Sequence, residues 1–438
     1  VPGIISMTRS GEPGAGTDFF IRGISSFGAS KKPLVLVDGV ERPLDLVDPE
    51  DIESFSMLKD ATATAVYGVR GANGVLIINT KKGEEGKPKI TVRADFGVVG
   101  PTKMPKMINS AQWAELYNEA LGRKFYSDEI ISYYKDGTDP DLYPNVDWIG
   151  SMYKDWSTQE NVNVNISGGG SMVRYYVSGG FYNEGSIFKE DKSKLLDYDA
   201  STNYKRFHFR ANLDINITPS TTLSLNMGTV FEKKLSPGRD NSDIWGYSFN
   251  TSPNAFPMKY SDGKASGPTS GTGFNPYNLM TNSGFKDEHW NNAQSVASLT
   301  QDFSDIITPG LKANVKYSFD AQNYNRVTRE FTPAQYLATG RDEEGNLKYQ
   351  QTAAGQEALS FDKGNAGSRR TYLEASVSYD NTFGYDHNVS ALFLFNQSER
   401  YNTSPGVALE SLAYKNQGIS GRLSYTLKGR YIGEFNIG

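Results

Sequence analysis

The chain has 438 residues, a mean hydropathy of -0.52 and a formal net charge of -5. It has no run of 18 or more apolar residues, which excludes a transmembrane helix, and its acidic balance argues against a nucleic-acid partner. Cysteine is absent, which excludes disulfides and thiolate chemistry, and three separated histidines argue against a histidine-based metal site. The 23 Phe, 26 Tyr and 44 Gly residues favour β-structure with many turns.

The first 86 residues predict a small α/β domain. Residues 34–37 (LVLV) predict a buried strand that ends at a tight turn, Asp38-Gly39, and residues 75–78 (VLII) predict a second buried strand. Residues 81–86 (KKGEEG) are charged and are interpreted as a linker to the rest of the chain. We therefore place the domain boundary at residue 86.

A helix is predicted between these two strands. Asp48 would be its N-cap and Pro49 its first residue, with acidic side chains near the positive end of the helix dipole. Ile52, Phe55 and Leu58 lie near helical spacing and would face the core. The helix start accounts for the local acidic cluster without catalysis. Together with the lack of any triad or metal constellation, this predicts that the protein is not an enzyme.

From residue 87 onward the pattern changes to long two-residue alternation. In residues 207–217 and 312–321, apolar side chains occupy the odd positions and mostly polar ones occupy the even positions, so each set faces one side of a strand. Eleven such stretches can be counted, centred near residues 93, 164, 177, 211, 226, 297, 317, 377, 394, 422 and 434. Residues 87–438 therefore predict an antiparallel β-structure.

Short and long connections alternate between these stretches. The long ones are predicted at residues 100–158, 184–203, 235–288, 328–368 and 403–415. Tight turns at one rim and large loops at the other are typical of an up-and-down transmembrane β-barrel, whose polar face lines a hydrated lumen. A water-soluble β-sandwich is the competing interpretation, but five long loops at one end fit it poorly. Because eleven strands leave unpaired edges, we expect the chain to be a piece of a larger barrel.

The N-terminal motifs resemble a known family. They are FIRGI (20–24), PLVLVDGV (33–40), DIESFSMLKDA (51–61) and TAVYGVRGANGVLIINTKKG (64–83). They resemble the plug of TonB-dependent outer-membrane transporters, and the KDATA and RGANG forms are similar to the SusC/RagA branch. The resemblance implies a plug inside a barrel of about 22 strands, of which this chain would supply the N-terminal half.

The resemblance also implies a function. Such proteins import bulky nutrients across the outer membrane of Gram-negative bacteria with energy transmitted by TonB, and a SusD-type surface lipoprotein usually covers the barrel mouth. For this chain we expect an oligosaccharide as ligand, with an oligopeptide as the alternative, outer-membrane lipids around the barrel, and no cofactor or metal. A soluble β-rich binding or adhesion protein is the rival of a different class. The family's TonB-contact segment is not found in these residues, which also predicts a partial sequence.

Candidate ligand contacts are aromatic and planar polar side chains, because a sugar offers apolar ring faces and hydroxyl groups. The prediction comprises Trp245, Tyr247, Asn250, Tyr277 and Trp290 in the long loops, and Arg9, Glu12, Asp18 and Phe27 in the plug. The alternative for the loop aromatics is that they pack the loops together.

Candidate plug–barrel contacts follow from the cost of burying a charge without a partner. Arg22 and Arg70 of the plug are predicted to pair with inward-facing barrel carboxylates, for which Asp214 and Glu374 are the candidates.

Overall fold

The structure is a computed structural model. It describes residues 4–8, 10–21, 32–58, 71, 73–189, 191, 195, 197–268, 273–384 and 386–438. Among these residues, no helix is both long and apolar enough to cross a membrane.

Two small sheets make up the described part of the N-terminal segment. Its strands are β1 (Ile4–Thr8), β2 (Thr17–Ile21), β3 (Leu34–Val37), β4 (Val40–Glu41), β5 (Ile52–Leu58) and β6 (Val75–Thr80). β1 pairs with β2, and the other four form a sheet of order β4-β3-β6-β5 in which β3 and β6 are parallel. Val37, Leu76 and Ile78 are buried together, and this confirms the two predicted core strands.

The turn after β3 is the predicted tight turn. Asp38 and Gly39 both have positive φ, 51° and 82°, a conformation that glycine adopts without strain. A Cβ on Gly39 would lie 2.5 Å from the Nζ of Lys316 in a later strand. The positive φ therefore favours glycine here, whereas the lysine side chain could move to make room for a Cβ.

The helix predicted after Asp48 is wrong beyond its first turn. Asp48 does cap a turn, accepting a hydrogen bond from the Glu50 backbone N–H at 2.9 Å, with Pro49 in the predicted position. The turn is a 3₁₀ helix of three residues, Pro49–Asp51, and it leads directly into strand β5. The spacing of Ile52, Phe55 and Leu58 spans only seven residues, too few to separate a helix from a strand, and pairing with β6 determines the conformation.

One antiparallel sheet contains the eleven predicted strands of the remaining chain. The strands are β7 (Gly86–Val99), β8 (Ser157–Gly169), β9 (Val173–Gly185), β10 (Asn203–Thr218), β11 (Thr221–Pro237), β13 (Gly284–Asp302), β14 (Leu311–Glu330), β17 (Asp362–Phe383), β18 (His387–Asn402), β19 (Tyr414–Leu427) and β20 (Tyr431–Ile437). Each pairs with its neighbour along the chain, so the sheet is an up-and-down partial β-barrel. The sandwich interpretation is wrong, because a sandwich would divide the strands between two packed sheets.

The two faces of this sheet differ as the alternation predicted. On β10, Phe207 and Phe209 of the odd face are 50% and 49% exposed, whereas Arg210 of the even face is 3% exposed. On β14, the odd residues Val315 and Tyr317 are likewise half exposed. The outer face is therefore apolar, and the N-terminal segment packs against the polar inner face.

Long and short connections alternate at every join of this sheet. We number the long ones loop 1 (residues 100–156), loop 2 (186–202), loop 3 (238–283), loop 4 (331–361) and loop 5 (403–413). They carry α1 (Ser110–Leu121), α2 (Asp128–Asp136), α3 (Trp148–Met152), α4 (Asn241–Asn250), α5 (Pro276–Thr281), β12 (Ala265–Ser266), β15 (Gln335–Arg341), β16 (Leu347–Ala353) and a 3₁₀ turn (Ala408–Ser411). Strands β12, β15 and β16 form one sheet that joins loop 3 to loop 4.

Loops 1, 2 and 3 share an apolar core. Met152 and Ile244 are fully buried in it, with Phe188 of loop 2 packed against them. The Tyr153 hydroxyl lies 2.8 Å from the Ser248 hydroxyl, and burial raises the pKa of Tyr153 to about 12. The long loops are thus a packed assembly with its own interior.

Candidate functional site

The acidic turn after β4 is anchored to the inner face of the sheet. Asp51 is 1% exposed, and its carboxylate accepts hydrogen bonds from Tyr176 Oη at 2.9 Å and Ser178 Oγ at 2.6 Å. Arg210 Nε of β10 lies 3.3 Å from the other carboxylate oxygen. Three donors, one of them the Arg210 cation, thus satisfy a buried charge that would otherwise be costly.

Two further contacts extend this anchor along β10. Asn212 Nδ2 donates to Thr80 Oγ1 at 2.8 Å and to the Lys81 carbonyl at 2.7 Å, at the end of β6. His208 Nδ1 lies 3.3 Å from an Asp48 carboxylate oxygen. Since all these groups are buried, we call Asp48, Asp51, Thr80, Tyr176, Ser178, His208, Arg210 and Asn212 the first anchor.

A second anchor joins the end of β4 to β14 and β17. Arg42 makes two hydrogen bonds to the Asp320 carboxylate, at 2.9 and 2.6 Å, and its side chain is 2% exposed. The neighbouring Glu41 accepts a hydrogen bond from Arg370 Nη2 at 2.7 Å. Asp320 and Arg370 stand opposite each other across β14 and β17. Glu41 and Arg42 of the N-terminal segment therefore face Arg370 and Asp320 of the barrel, so each charge meets one of opposite sign.

Two of the four residues predicted to join the plug to the barrel, Asp214 and Glu374, lie within the described part of the chain. Arg22 and Arg70 lie outside the described residues. Asp214 lies 3.9 Å from Lys82, just after β6, so it does face the N-terminal segment. Glu374 pairs with Lys316 of β14 at 3.3 Å, and the Nζ of that lysine lies beside Gly39 of the N-terminal segment.

Sequence reasoning missed both anchors. Asp48 and Asp51 fit the pattern of a helix start, and no local pattern marks Arg42 as a contact residue. A signal was present in β10, where His208 and Arg210 occupy inward positions between aromatic outward ones. Such a buried cation demands an acidic partner, but Asp51 lies 159 residues away in sequence and no local pattern identifies it.

Above the anchors, a cleft of about 1800 Å³ separates the N-terminal segment from the inner face of the sheet. Its floor includes residues 14–17 and 43–49, and its wall is formed by β8 to β19. A smaller cavity of about 890 Å³ opens beside it toward loops 2 and 3, and Glu12, Glu184, Lys234 and Glu288 line both. The two spaces adjoin at these four residues, and we call them together the route from the loops to the anchored segment.

Glu12 lies at the junction of these two spaces. Its carboxylate accepts a hydrogen bond from Asn241 Nδ2 of α4 at 2.6 Å and pairs with Lys234 Nζ at 3.3 Å. Asp18, the other predicted acid, pairs with Lys32 at 2.6 Å. Arg9 and Phe27 lie outside the described residues. Glu12 is thus the predicted plug residue that the structure places directly on the route.

The predicted loop aromatics divide into two groups. Trp290, on β13, lines the cleft, and Trp245 lines the smaller cavity while stacking on Tyr153 at a centroid distance of 4.3 Å. Tyr277 is 2% exposed inside the loop core, and this leaves its ring no surface for a ligand. Tyr247 packs against the same core, and Asn250 is exposed at the end of α4.

A small sheet domain anchored on the polar face of an up-and-down barrel wall, below a cleft, defines the plugged β-barrel class. Residues 1–75 match the family model described as the TonB-dependent receptor plug domain. TonB-dependent receptor P3 of Formosa agariphila is 26% identical over 98% of this chain and 41% of its own length. SusC of Bacteroides thetaiotaomicron is 31% identical over 50% of this chain and 21% of its own length. The structure of the RagAB peptide importer in its closed-closed state matches 100% of this chain and 51% of its own chain, with a TM-score of 0.72 at 19% identity.

Residues 1–75 are thus similar to the plug of TonB-dependent receptors, and the chain as a whole is similar to receptors of the SusC/RagA type. It spans 41% of the length of the first of these curated relatives and about half of the RagAB chain. We therefore call the N-terminal segment the plug from here on.

Proposed function

We propose that the full-length protein imports a bulky nutrient, an oligosaccharide, across the outer membrane of a Gram-negative bacterium. The observation that carries the proposal is a plug held on the polar face of the barrel by ion pairs, directly below a cleft of about 1800 Å³. A pore for passive diffusion has no use for such an obstruction. An importer needs one, because it must hold the lumen closed until ligand and energy are both present.

In this proposal each surface has a partner. The apolar outer face contacts the acyl chains of the outer membrane, and the loop assembly supports a SusD-type lipoprotein at the barrel mouth. TonB supplies energy by pulling on the plug. These partners are those implied by the family, and the half-exposed apolar side chains of β10 and β14 support the first of them.

An oligopeptide is the alternative ligand. The name of the RagAB structure describes a peptide importer, but at 19% identity that likeness concerns the fold. The ligand class is therefore argued from the cleft itself. Its wall combines amide side chains with the rings of Tyr182, Tyr204, Trp290 and Tyr324, a combination that suits sugars.

Uptake by cells with and without the full-length gene tests the proposal. The panel would contain labelled neutral oligosaccharides and labelled oligopeptides, each with and without a protonophore. We expect gene-dependent accumulation of an oligosaccharide that the protonophore abolishes. Accumulation that survives the protonophore would point to a passive porin instead, and no gene-dependent uptake of any ligand would contradict import.

Movement of the plug can be tested separately with a reversible lock. Asn212 and Thr80 are 2.8 Å apart at their bonded atoms, and the chain has no native cysteine. In the double variant T80C/N212C a disulfide would fasten the plug to β10. We expect uptake to fall under oxidising conditions and to recover with dithiothreitol, while either single variant is insensitive to the reductant. Equal uptake in the locked and reduced states would contradict plug displacement.

A further inference from the structure

Two aromatic rings stand side by side on the wall of the cleft. The strand register places Trp290 of β13 opposite Tyr324 of β14, and their ring centroids are 5.1 Å apart with an interplanar angle of 31°. Both side chains line the cleft and both are half-buried, so each ring keeps an accessible part. Together they form a tilted pair of partly overlapping rings, each open in part to the cleft, which we call the platform.

Polar groups surround the platform on three sides. Glu288 and Asn292 flank Trp290 at two-residue spacing on β13, so alternation puts all three on the inner face. Glu232 of β11 lies opposite Trp290 in the register. The carboxylates and the amide are thus within about 5 to 7 Å of the Trp290 backbone position, the distance between same-face neighbours in a sheet.

Internal hydrogen bonds orient the polar groups of Glu232, Glu288 and Asn292, which we call the frame. Tyr324 Oη donates to Glu288 Oε1 at 2.6 Å, and Asn292 Nδ2 lies 3.5 Å from Glu232 Oε2. The Tyr204 hydroxyl also donates to Glu232. Each carboxylate keeps further lone pairs that can accept hydrogen bonds from a ligand, since an ionised carboxylate offers about four acceptor sites. The frame is therefore positioned and rich in acceptors.

We propose that the platform and its frame are a saccharide subsite for an uncharged oligosaccharide; this inference rests on the proposed import function. A pyranose ring has an apolar face of C–H groups, which stacks on aromatic rings, and a rim of hydroxyl groups, which donate to carboxylates and amides. Trp290 and Tyr324 supply the first kind of contact. Glu232, Glu288 and Asn292 supply the second.

Charge selects against acidic glycans. Among the described residues that line the cleft, eight carry a carboxylate and four carry a cationic side chain. A sulfated or uronate chain would bring like charges next to Glu288, and near Glu232 it would meet one cation, Arg206, which stands opposite Glu232 in the register of β10 and β11. The cleft as a whole still has an excess of carboxylates, which is costly for an anion in a partly dehydrated site. A peptide would meet the platform only where it carries a ring or a proline, whereas a regular oligosaccharide presents a stacking face at every sugar.

The test measures binding to the purified full-length protein by calorimetry. The probes are neutral hexasaccharides of gluco-, xylo-, manno- and galacto-linkage, hexagalacturonate and a mixed octapeptide pool. We expect one or more neutral hexasaccharides to bind, W290A to weaken that binding by about tenfold, and W290F to retain most of it because a ring remains. W156A is the matched control, since Trp156 is 59% exposed and lies outside the cleft.

The outcomes separate this inference from the import proposal. Equal affinity of W290A and wild type, a preference for hexagalacturonate, or binding of the octapeptides alone would overturn the saccharide subsite while leaving import intact. A wild-type protein that binds nothing in the panel and supports no energy-dependent uptake would overturn both. A circular dichroism spectrum of W290A that matches wild type would show that its loss of affinity is local.

Discussion

The plug interface and the loop assembly are held together by opposite kinds of interaction. The plug contacts the barrel through buried charges such as Asp51–Arg210 and Arg42–Asp320, whereas loops 1 to 3 share a core of apolar and aromatic side chains around Ile244. An apolar core resists separation because it would expose hydrophobic area to water. Charged surfaces are solvated once they separate, so the plug interface specifies position without making displacement prohibitive. In the proposed import function, the region that moves is charged and the region that keeps its shape is apolar.

The largest effect is expected at the first anchor. R210A removes the cation beside Asp51, which is 1% exposed, so we expect plug docking to weaken by about 4 kcal/mol. A reporter cysteine at Val40, which is 1% exposed, would then react with a maleimide much faster than in the V40C parent. R93A is the control: Arg93 also pairs with a plug acid, Glu50, but its side chain is 55% exposed, so solvent screens the pair and its loss should change the labelling rate little. Equal labelling of the two variants would contradict a buried charged anchor.

A mutation in the loop core should act on the loops alone. I244A empties part of a fully buried site and is expected to cost about 3 kcal/mol, against about 1 kcal/mol for I244V. The reporter is a cysteine at Ser248, a nearly isosteric replacement in the same core. Faster labelling of S248C with unchanged labelling of V40C would confirm that the two regions are independent. If I244A accelerated labelling of both S248C and V40C, the loop core and the plug interface would open as one unit.

The second anchor offers a milder test of the charged interface. D320N keeps the shape of the side chain but removes the charge that Arg42 binds at 2.9 and 2.6 Å. We expect a loss of about 2 kcal/mol, because the hydrogen-bonding geometry partly survives. The same V40C labelling assay would measure it, with N314D as a control for altered charge on the same face. A neutral result would mean that the first anchor alone positions the plug.

The smallest effect concerns the ion pair that joins loops 1 and 4. Arg341 binds the Asp139 carboxylate through two hydrogen bonds of 2.6 Å, and this contact lowers the pKa of Asp139. A lowered folded-state pKa means that the stabilisation is present above the unfolded pKa of about 3.9 and is lost as pH falls through the folded value. R341A should therefore lower stability only slightly near neutral pH, because solvent screens this pair, and should have no electrostatic effect once Asp139 is protonated. Thermal scans of both proteins at a series of pH values from 7 downward would check the difference, which should shrink as Asp139 becomes protonated; a difference that stays constant throughout would assign the effect to packing.

The barrel could be predicted from the sequence because side-chain alternation and turn length are local features of the chain. Alternation in residues 207–217 places Phe207 and Arg210 on opposite faces, and short turns between long loops define the order of the strands. The anchors and the platform could not be predicted from the sequence, because the residues that form them are far apart in it. Asp320 meets Arg42 across 278 residues, and Tyr324 meets Trp290 only after the register of two strands is fixed. The helix expected after Asp48 failed for a related reason, since pairing with β6 outweighed a local spacing.

The two faces of β17 offer the most direct test of whether the outer face of the barrel lies in a membrane. Single cysteines would be introduced at Ala375 and Val377 on the outer face and at Ser376 and Ser378 on the inner face, and then spin-labelled in proteoliposomes of the full-length protein. We predict that molecular oxygen, which concentrates in acyl chains, relaxes the labels at 375 and 377 strongly, whereas the labels at 376 and 378 are shielded from it. If all four labels are relaxed mainly by a water-soluble nickel chelate, the outer face does not lie in a membrane, and the importer is contradicted.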